Sequence, residues 1–129
     1  LFIQMCLGVN TMHERNILHR DLKAANVFMC SNTYVKLGDF GVSKVLKHSE
    51  QLARTQVGTP YSVAPAVWRN RPYNNKCDMW SRGCLPYELC TFRPPFEAES
   101  MEGLARKVMR GRCARTCTHT LCGCSSVGA

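Results

Sequence analysis

Three short groups of residues in fixed order constrain this chain more than any other feature. They are His19-Arg20-Asp21-Leu22-Lys23-Ala24-Ala25-Asn26, then Asp39-Phe40-Gly41, then Gly58-Thr59-Pro60 with Ala64-Pro65-Ala66 behind it. The segments between them fix their geometry. Residues 1 to 15 read as a helix, because Phe2, Met5, Cys6, Val9 and Met12 recur at three- and four-residue steps. The apolar pair Ile17-Leu18 leads into the first group. Val27-Phe28-Met29 and Val35-Lys36-Leu37 read as two short strands joined by the polar turn Ser31-Asn32-Thr33, a hairpin that folds Asp39 back beside Asn26. From Gly38 to about Tyr61 the chain is polar and glycine-containing without a period, which predicts a long functional loop. Residues 77 to 91 and 98 to 110 read as two further helices, the first apolar enough to be buried.

This arrangement suits phosphoryl transfer to a hydroxyl. That reaction needs a carboxylate to orient and deprotonate the attacking group, oxygen ligands for Mg²⁺, and a cation to offset charge on the moving phosphoryl. Asp21 supplies the first. Asn26 and Asp39 supply two hard oxygen ligands. Lys23, two residues from Asp21 on an extended loop, points to the same side and reaches a phosphate.

Composition narrows the class. With 129 residues, 45% hydrophobic and 20% charged, the chain has room for one globular domain. No apolar run is long enough to span a membrane, and no membrane partner is expected. The net charge of +8 is spread from Arg15 to Arg115 without basic clusters or interleaved aromatics, so it reads as a solvated surface and no nucleic-acid partner is expected. The opening LFIQMCLGVN is apolar without a basic leader or cleavage site, and it starts mid-pattern without Met; the expectation is a fragment with chain missing upstream. Nine cysteines at irregular spacing, with no secretory leader, predict reduced thiols.

The motifs resemble the eukaryotic protein kinases. HRDLKAAN resembles their catalytic loop, DFG their metal-binding motif, GTPYSVAPA the end of their activation segment, and DMWSRG the start of their buried central helix. Lys23 and the GTP stretch resemble the serine/threonine branch. Gly38 before DFG, ILHRDLK, VGTPY, RPYNNKCDMWSRGC and YELCTFRPPFEAESMEGLARKVMRG resemble the NIMA-related kinases. The resemblance covers residues 1 to about 112. It implies a mainly α (α+β overall) fold, the C-terminal lobe of a kinase with a small β-hairpin and the N-terminal lobe absent, followed by a divergent Cys-rich tail, 113 to 129, expected to be disordered. It implies ATP-dependent phosphorylation of protein Ser/Thr, with ATP and Mg²⁺ as cofactors and protein substrates as partners. The implied location is the cytoplasm, or the nucleus or cytoskeleton by family.

The resemblance also assigns roles. Asp21 matches the catalytic base, Lys23 the phosphate-contacting lysine, and Asn26 and Asp39 the Mg²⁺ and ATP-phosphate ligands. Arg20 matches the arginine that pairs with an activation-loop phosphate, Thr55 the phosphorylated threonine, and Thr59 the threonine bonded to the catalytic loop. Asp78 matches the buried aspartate that holds the HRD backbone. His19 and Phe40 match members of an apolar stack between lobes, with Gly41 as structural support. From residue type alone, Asp78 also suits a helix N-cap and Thr55 a plain loop hydroxyl. His13 and His48 show no partner logic and are expected to be solvated.

Four departures qualify the resemblance. The 129 residues hold no Gly-rich loop, no VAIK-type lysine and no partner glutamate, so ATP would have half its walls and the chain alone is expected to be inactive. Ala66 replaces the glutamate of APE, and its arginine partner finds no match in the tail. Arg82 and Pro86 replace apolar residues in the central helix, where an interior proline costs about 3 kcal/mol or more against a domain stability as low as about 5 kcal/mol. Ser62 replaces an aromatic. In the tail, Cys113, Cys117, His119, Cys122 and Cys124 have zinc-binding atoms without paired CxxC spacing, and degenerate sequence is the preferred reading. Two alternatives to an enzyme therefore stand: a non-catalytic kinase-like interaction module, and a degenerate gene fragment.

Overall fold

The computed structural model describes residues 1–30, 34–48, 50–55 and 57–113. Four helices, α1 (Phe2–Glu14), α2 (Pro65–Trp68), α3 (Lys76–Thr91) and α4 (Met101–Arg110), surround two small antiparallel pairs. One pair is β1 (Ile17–Leu18) with β4 (Lys44–Val45); the other is β2 (Val27–Met29) with β3 (Val35–Leu37). The mainly helical unit with a small hairpin expected from the sequence is present among the described residues. The hairpin register, Val27↔Leu37 through Met29↔Val35, joins the strands that were expected to pair. Its turn, residues 31–33, lies outside the described residues.

α1 buries Met5 and Val9, while Phe2 of the expected face is 46% exposed. The helix lies close on β3, where a Cβ added at Gly8 would come within 3.2 Å of Leu37 Cδ1. Gln4 Oε1 accepts a bond from the Val35 N–H at 3.0 Å. Helix and hairpin thereby set the height at which the chain leaves β3 for Asp39.

The span from Gly38 to Tyr61 is not uniformly a loop. β4 pairs Leu18 with Lys44 and Ile17 with Val45, and Ala53 bridges Tyr73 through bonds of 2.7 and 2.9 Å. Two-residue pairings carry no sequence period, so only the partner strand reveals them. α2 is equally short, opening on Pro65, whose fixed φ suits a first helical position.

α3 corrects the expectation of an apolar buried helix. Its buried residues are Cys77, Asp78, Ser81, Cys84 and Leu85, two of them polar, while Met79 and Leu89 are exposed. Arg82 is half-buried, so its charge is not sealed away from solvent. The helix runs unbroken through Pro86, whose ring nitrogen offers no donor to the Arg82 carbonyl. α4 begins at Met101 because the Ser100 hydroxyl accepts from the Gly103 N–H at 3.1 Å, and it ends at Gly111 with φ 65°.

Two apolar clusters form the core. One gathers Leu18, Leu46, Ala53, Val63, Val67 and Tyr73 under the loops; the other joins Cys84 to Phe96, Leu104 and Val108. Trp68 and Trp80 border both, and Trp80 stacks on Phe96 at 5.6 Å. Among the described residues, no helix is long and apolar enough to cross a membrane, and six cysteines are free thiols.

Candidate active site

β1 ends at buried Leu18 and hands the chain to a loop pinned from below by α3. Asp78 is 1% exposed and spends its two oxygens on consecutive amides, accepting from the His19 N–H at 2.9 Å and the Arg20 N–H at 2.8 Å. Asn75, not Asp78, occupies the N-cap position of α3, and Asp78 lies within the first turn. Arg20 has φ 71°, a left-handed conformation that costs a non-glycine residue free energy, and the two bonds to Asp78 offset that cost. His13 also reaches Asp78, with Nε2 2.8 Å from Oδ2. The expectation of a solvated His13 is thus wrong: α1 places it against a buried carboxylate. His48 is exposed as expected.

His19 is fully buried and spans two segments. Its Nε2 lies 3.1 Å from the Gly38 carbonyl and its Nδ1 3.4 Å from the Asp21 amide, a pairing that one tautomer, protonated at Nε2, satisfies. The ring also meets Phe40 at 5.3 Å. The Gly38 N–H donates to the Asn26 carbonyl at 3.0 Å, so β3 returns beside the loop as the hairpin reading required.

The Asp21 carboxylate sits among four donor contacts. Oδ1 accepts from the Thr59 N–H at 2.9 Å and the Thr59 hydroxyl at 2.7 Å; Oδ2 accepts from Lys23 Nζ at 2.7 Å and Asn26 Nδ2 at 3.3 Å. Partial burial alone raises the carboxyl pKa. The hydrogen bonds from Lys23 and Thr59 and the charge of Lys23 together outweigh it, holding the group below its ordinary 3.8. An ionised carboxylate in a ring of donors can accept a bond from an incoming hydroxyl. Lys23 Nζ also donates to Thr59 Oγ1 at 3.0 Å, so Lys23 and Thr59 flank the same carboxylate. Gly58 makes this contact possible: with φ 113°, a Cβ there would sit 2.8 Å from the Arg20 carbonyl oxygen.

Asn26, 4% exposed, donates through Nδ2 to the Asp21 carbonyl at 2.9 Å, and its Oδ1 is an amide acceptor. Asp39 is exposed, has φ 56°, and accepts one bond from the Gly41 N–H at 3.3 Å. One amide oxygen and one carboxylate suit a hard cation that keeps several waters, and these two residues fit Mg²⁺. No group of three or more His, Cys, Asp or Glu among the described residues is placed to hold a metal. Cys113 is exposed, and the other tail positions weighed for zinc lie outside the described residues.

Arg20 turns away from Asp21. Its Nε donates to the Val42 carbonyl at 2.5 Å and its Nη1 to the Tyr73 hydroxyl at 3.4 Å, while that hydroxyl donates to the Thr55 carbonyl at 2.6 Å. Thr55 is exposed, and its carbonyl is tied to the site through the Tyr73 hydroxyl. Sequence reasoning missed Tyr73 and His13. The signal for Tyr73 was an aromatic inside the polar run RPYNNK; for His13 there was none.

Residues 1–122 match the protein kinase domain family. Over 110 residues, 85% of this chain, the sequence is 54% identical to Serine/threonine-protein kinase Nek3 of Mus musculus, covering 22% of that protein. Over 114 residues, 88% of this chain, it is 50% identical to Serine/threonine-protein kinase Nek5 of Homo sapiens, covering 16%. Serine/threonine-protein kinase Nek2 of Homo sapiens is 46% identical over 117 residues, with 87% of this chain and 26% of the relative covered. The chain thus spans a quarter or less of the length of most of these relatives, and 26% of the last.

Proposed function

The chain belongs to the protein kinase family, and on that footing we propose that it carries the substrate-side, C-terminal lobe of a NIMA-related protein serine/threonine kinase. The kinase unit runs over residues 1 to 112, with 113 to 129 as a divergent tail. The reaction is transfer of the ATP γ-phosphoryl group to a protein Ser or Thr hydroxyl. The observation that carries this reading is the Asp21 carboxylate, held ionised by Lys23 and Thr59 while Asp78 clamps the loop beneath it.

In this reading Asp21 orients the acceptor hydroxyl and takes its proton. Lys23 releases one of its bonds to meet the transferring phosphoryl, and Thr59 favours Ser/Thr acceptors. Asn26 Oδ1 and the Asp39 carboxylate would hold Mg²⁺, whose charge offsets that of the phosphates. His19, Phe40 and Gly41 fix the height of Asp39 over the loop. A phosphate on exposed Thr55 would compete with Val42 and Tyr73 for the Arg20 guanidinium and order the segment through charge-assisted bonds. The working location is cytoplasmic, with the nucleus or cytoskeleton as family variants.

The 129 residues contain no nucleotide-covering loop, so alone they transfer no phosphate. Joined in frame to the upstream half of a Nek kinase domain, the chain should phosphorylate a Ser/Thr peptide with Mg-ATP, and Asp21→Asn should remove about 99% or more of that turnover. A joined chain without turnover, or turnover indifferent to Asp21→Asn, refutes the reading. The runner-up, a non-catalytic module, is favoured by Pro86 inside α3 and by the buried Nε1 donors of Trp68 and Trp80, which meet no acceptor among the described residues. It expects the joined chain to be silent.

A further inference from the structure

The sequence scatters its cations, and the fold gathers four of them. Arg93, Lys107, Arg110 and Arg112, all exposed, line one open groove of about 960 Å³ between the segment that follows α3 and one face of α4. Lys107 and Arg110 also offset the negative end of the α4 dipole, but Arg93 belongs to a different segment and has no such duty. The backbone fixes where Arg93 stands. α3 ends at Phe92 in a left-handed conformation, φ 56°, which costs a non-glycine residue free energy, and the Thr91 hydroxyl accepts from the Arg93 N–H at 3.4 Å. Lys107 Nζ donates to the Glu97 carbonyl, which ties α4 to the same segment. Among the described residues, no hydrogen bond or ion pair occupies the guanidinium groups of Arg93, Arg110 or Arg112.

We propose that this groove docks an acidic peptide segment of a partner protein, its carboxylates paired with Arg93, Arg110 and Arg112. Free guanidinium forks match carboxylates in shape as well as charge. Buried Pro95 and Phe96 also line the groove and offer apolar contact to a side chain between the acidic ones. Two carboxylates, Glu97 and Glu99, share the groove. They would repel a nucleic-acid strand, which carries a charge at every step, whereas a peptide can place its acidic residues singly. The occupant comes from another kind of molecule. Residues 114–129 contain no Asp or Glu, and a second copy of the chain brings its own net charge of +8. This docking does not depend on phosphate transfer.

Fluorescence anisotropy on the 129-residue chain tests this near physiological ionic strength, where screening within about 8 Å silences charges outside the groove. The probe is a short labelled peptide with glutamate at alternate positions and one leucine, compared with its glutamine counterpart. The glutamate peptide should bind about tenfold tighter, an advantage that grows as salt is lowered. Arg93→Glu with Arg110→Glu should abolish the advantage. Lys36→Glu with Lys47→Glu, exposed positions outside the groove, makes the same change in net charge and should preserve it within about twofold. Each variant is checked by its melting transition; if the first pair fails to fold, the milder Arg93→Gln with Arg112→Gln decides, and it should weaken the advantage. Equal binding of the two peptides, equal loss in the Lys36 and Lys47 control, or no binding at all each overturn the proposal. So does a single-stranded oligonucleotide of equal charge that binds more tightly than the peptide. Affinity that emerges only when residues 114–129 are removed would make the chain's own tail the occupant and overturn it as well.

Discussion

Asp21 on the catalytic loop and Asp78 in the first turn of α3 serve the same segment, yet their surroundings give them different duties. Asp78 is enclosed and bonded to backbone amides and to His13; Asp21 is partly open and bonded to side chains that a substrate can displace. The lowered pKa of Asp21 makes its ionised form a source of stability. Because the folded pKa lies below the unfolded 3.8, that stability is complete above this value and is lost as the pH falls through the folded pKa. Melting temperatures measured from pH 5 downward should therefore fall more steeply for the wild type than for Asp21→Asn, and parallel curves would show that the donors around Asp21 contribute nothing. Much of this geometry was legible, since Asp21, Lys23, Asn26 and Thr59 are near in sequence or tied to a glycine that permits close approach. The His13–Asp78 contact was not, because it joins two residues 65 positions apart and no local pattern encodes such a pair.

At the scale of elements, strong periods were readable and short pairings were not. α1, α4 and the β2–β3 hairpin follow from their spacing, whereas β4 and α2 depend on what they pack against. α3 was located correctly and misjudged in character. Asp78 and Ser81 are inward-facing polar residues that serve loop amides and the Ser62 carbonyl, so its buried face is partly a hydrogen-bonding surface. Pro86 remains the element's weak point: the helix encloses it, and the Arg82 carbonyl has no ladder donor. Pro86→Leu restores that donor and should stabilise the chain by about 3 kcal/mol, raising the melting temperature by about 10 °C. A transition that stays put or falls would mean that the surroundings of α3 have adapted to the proline.

The whole molecule carries an imbalance between its apolar surface and its charge. Leu1 and, on α1, Phe2, Ile3 and Leu7 are exposed, as are Phe28, Met29 and Tyr34 on the adjoining hairpin, and apolar surface of this kind favours association. Against it stands the net charge of +8, which keeps copies apart at low salt. The two forces respond oppositely to ionic strength. Screening shortens charge repulsion to about 8 Å at physiological salt and leaves apolar attraction intact. Under reducing conditions, which remove any contribution from exposed Cys30 and Cys90, sedimentation velocity should show the chain associating more strongly as salt and concentration rise. Ile3→Lys with Leu7→Lys, two exposed positions one helical turn apart, should hold it monomeric without lowering its melting temperature. Association that weakens with salt would mean that charge, not this face, brings the copies together.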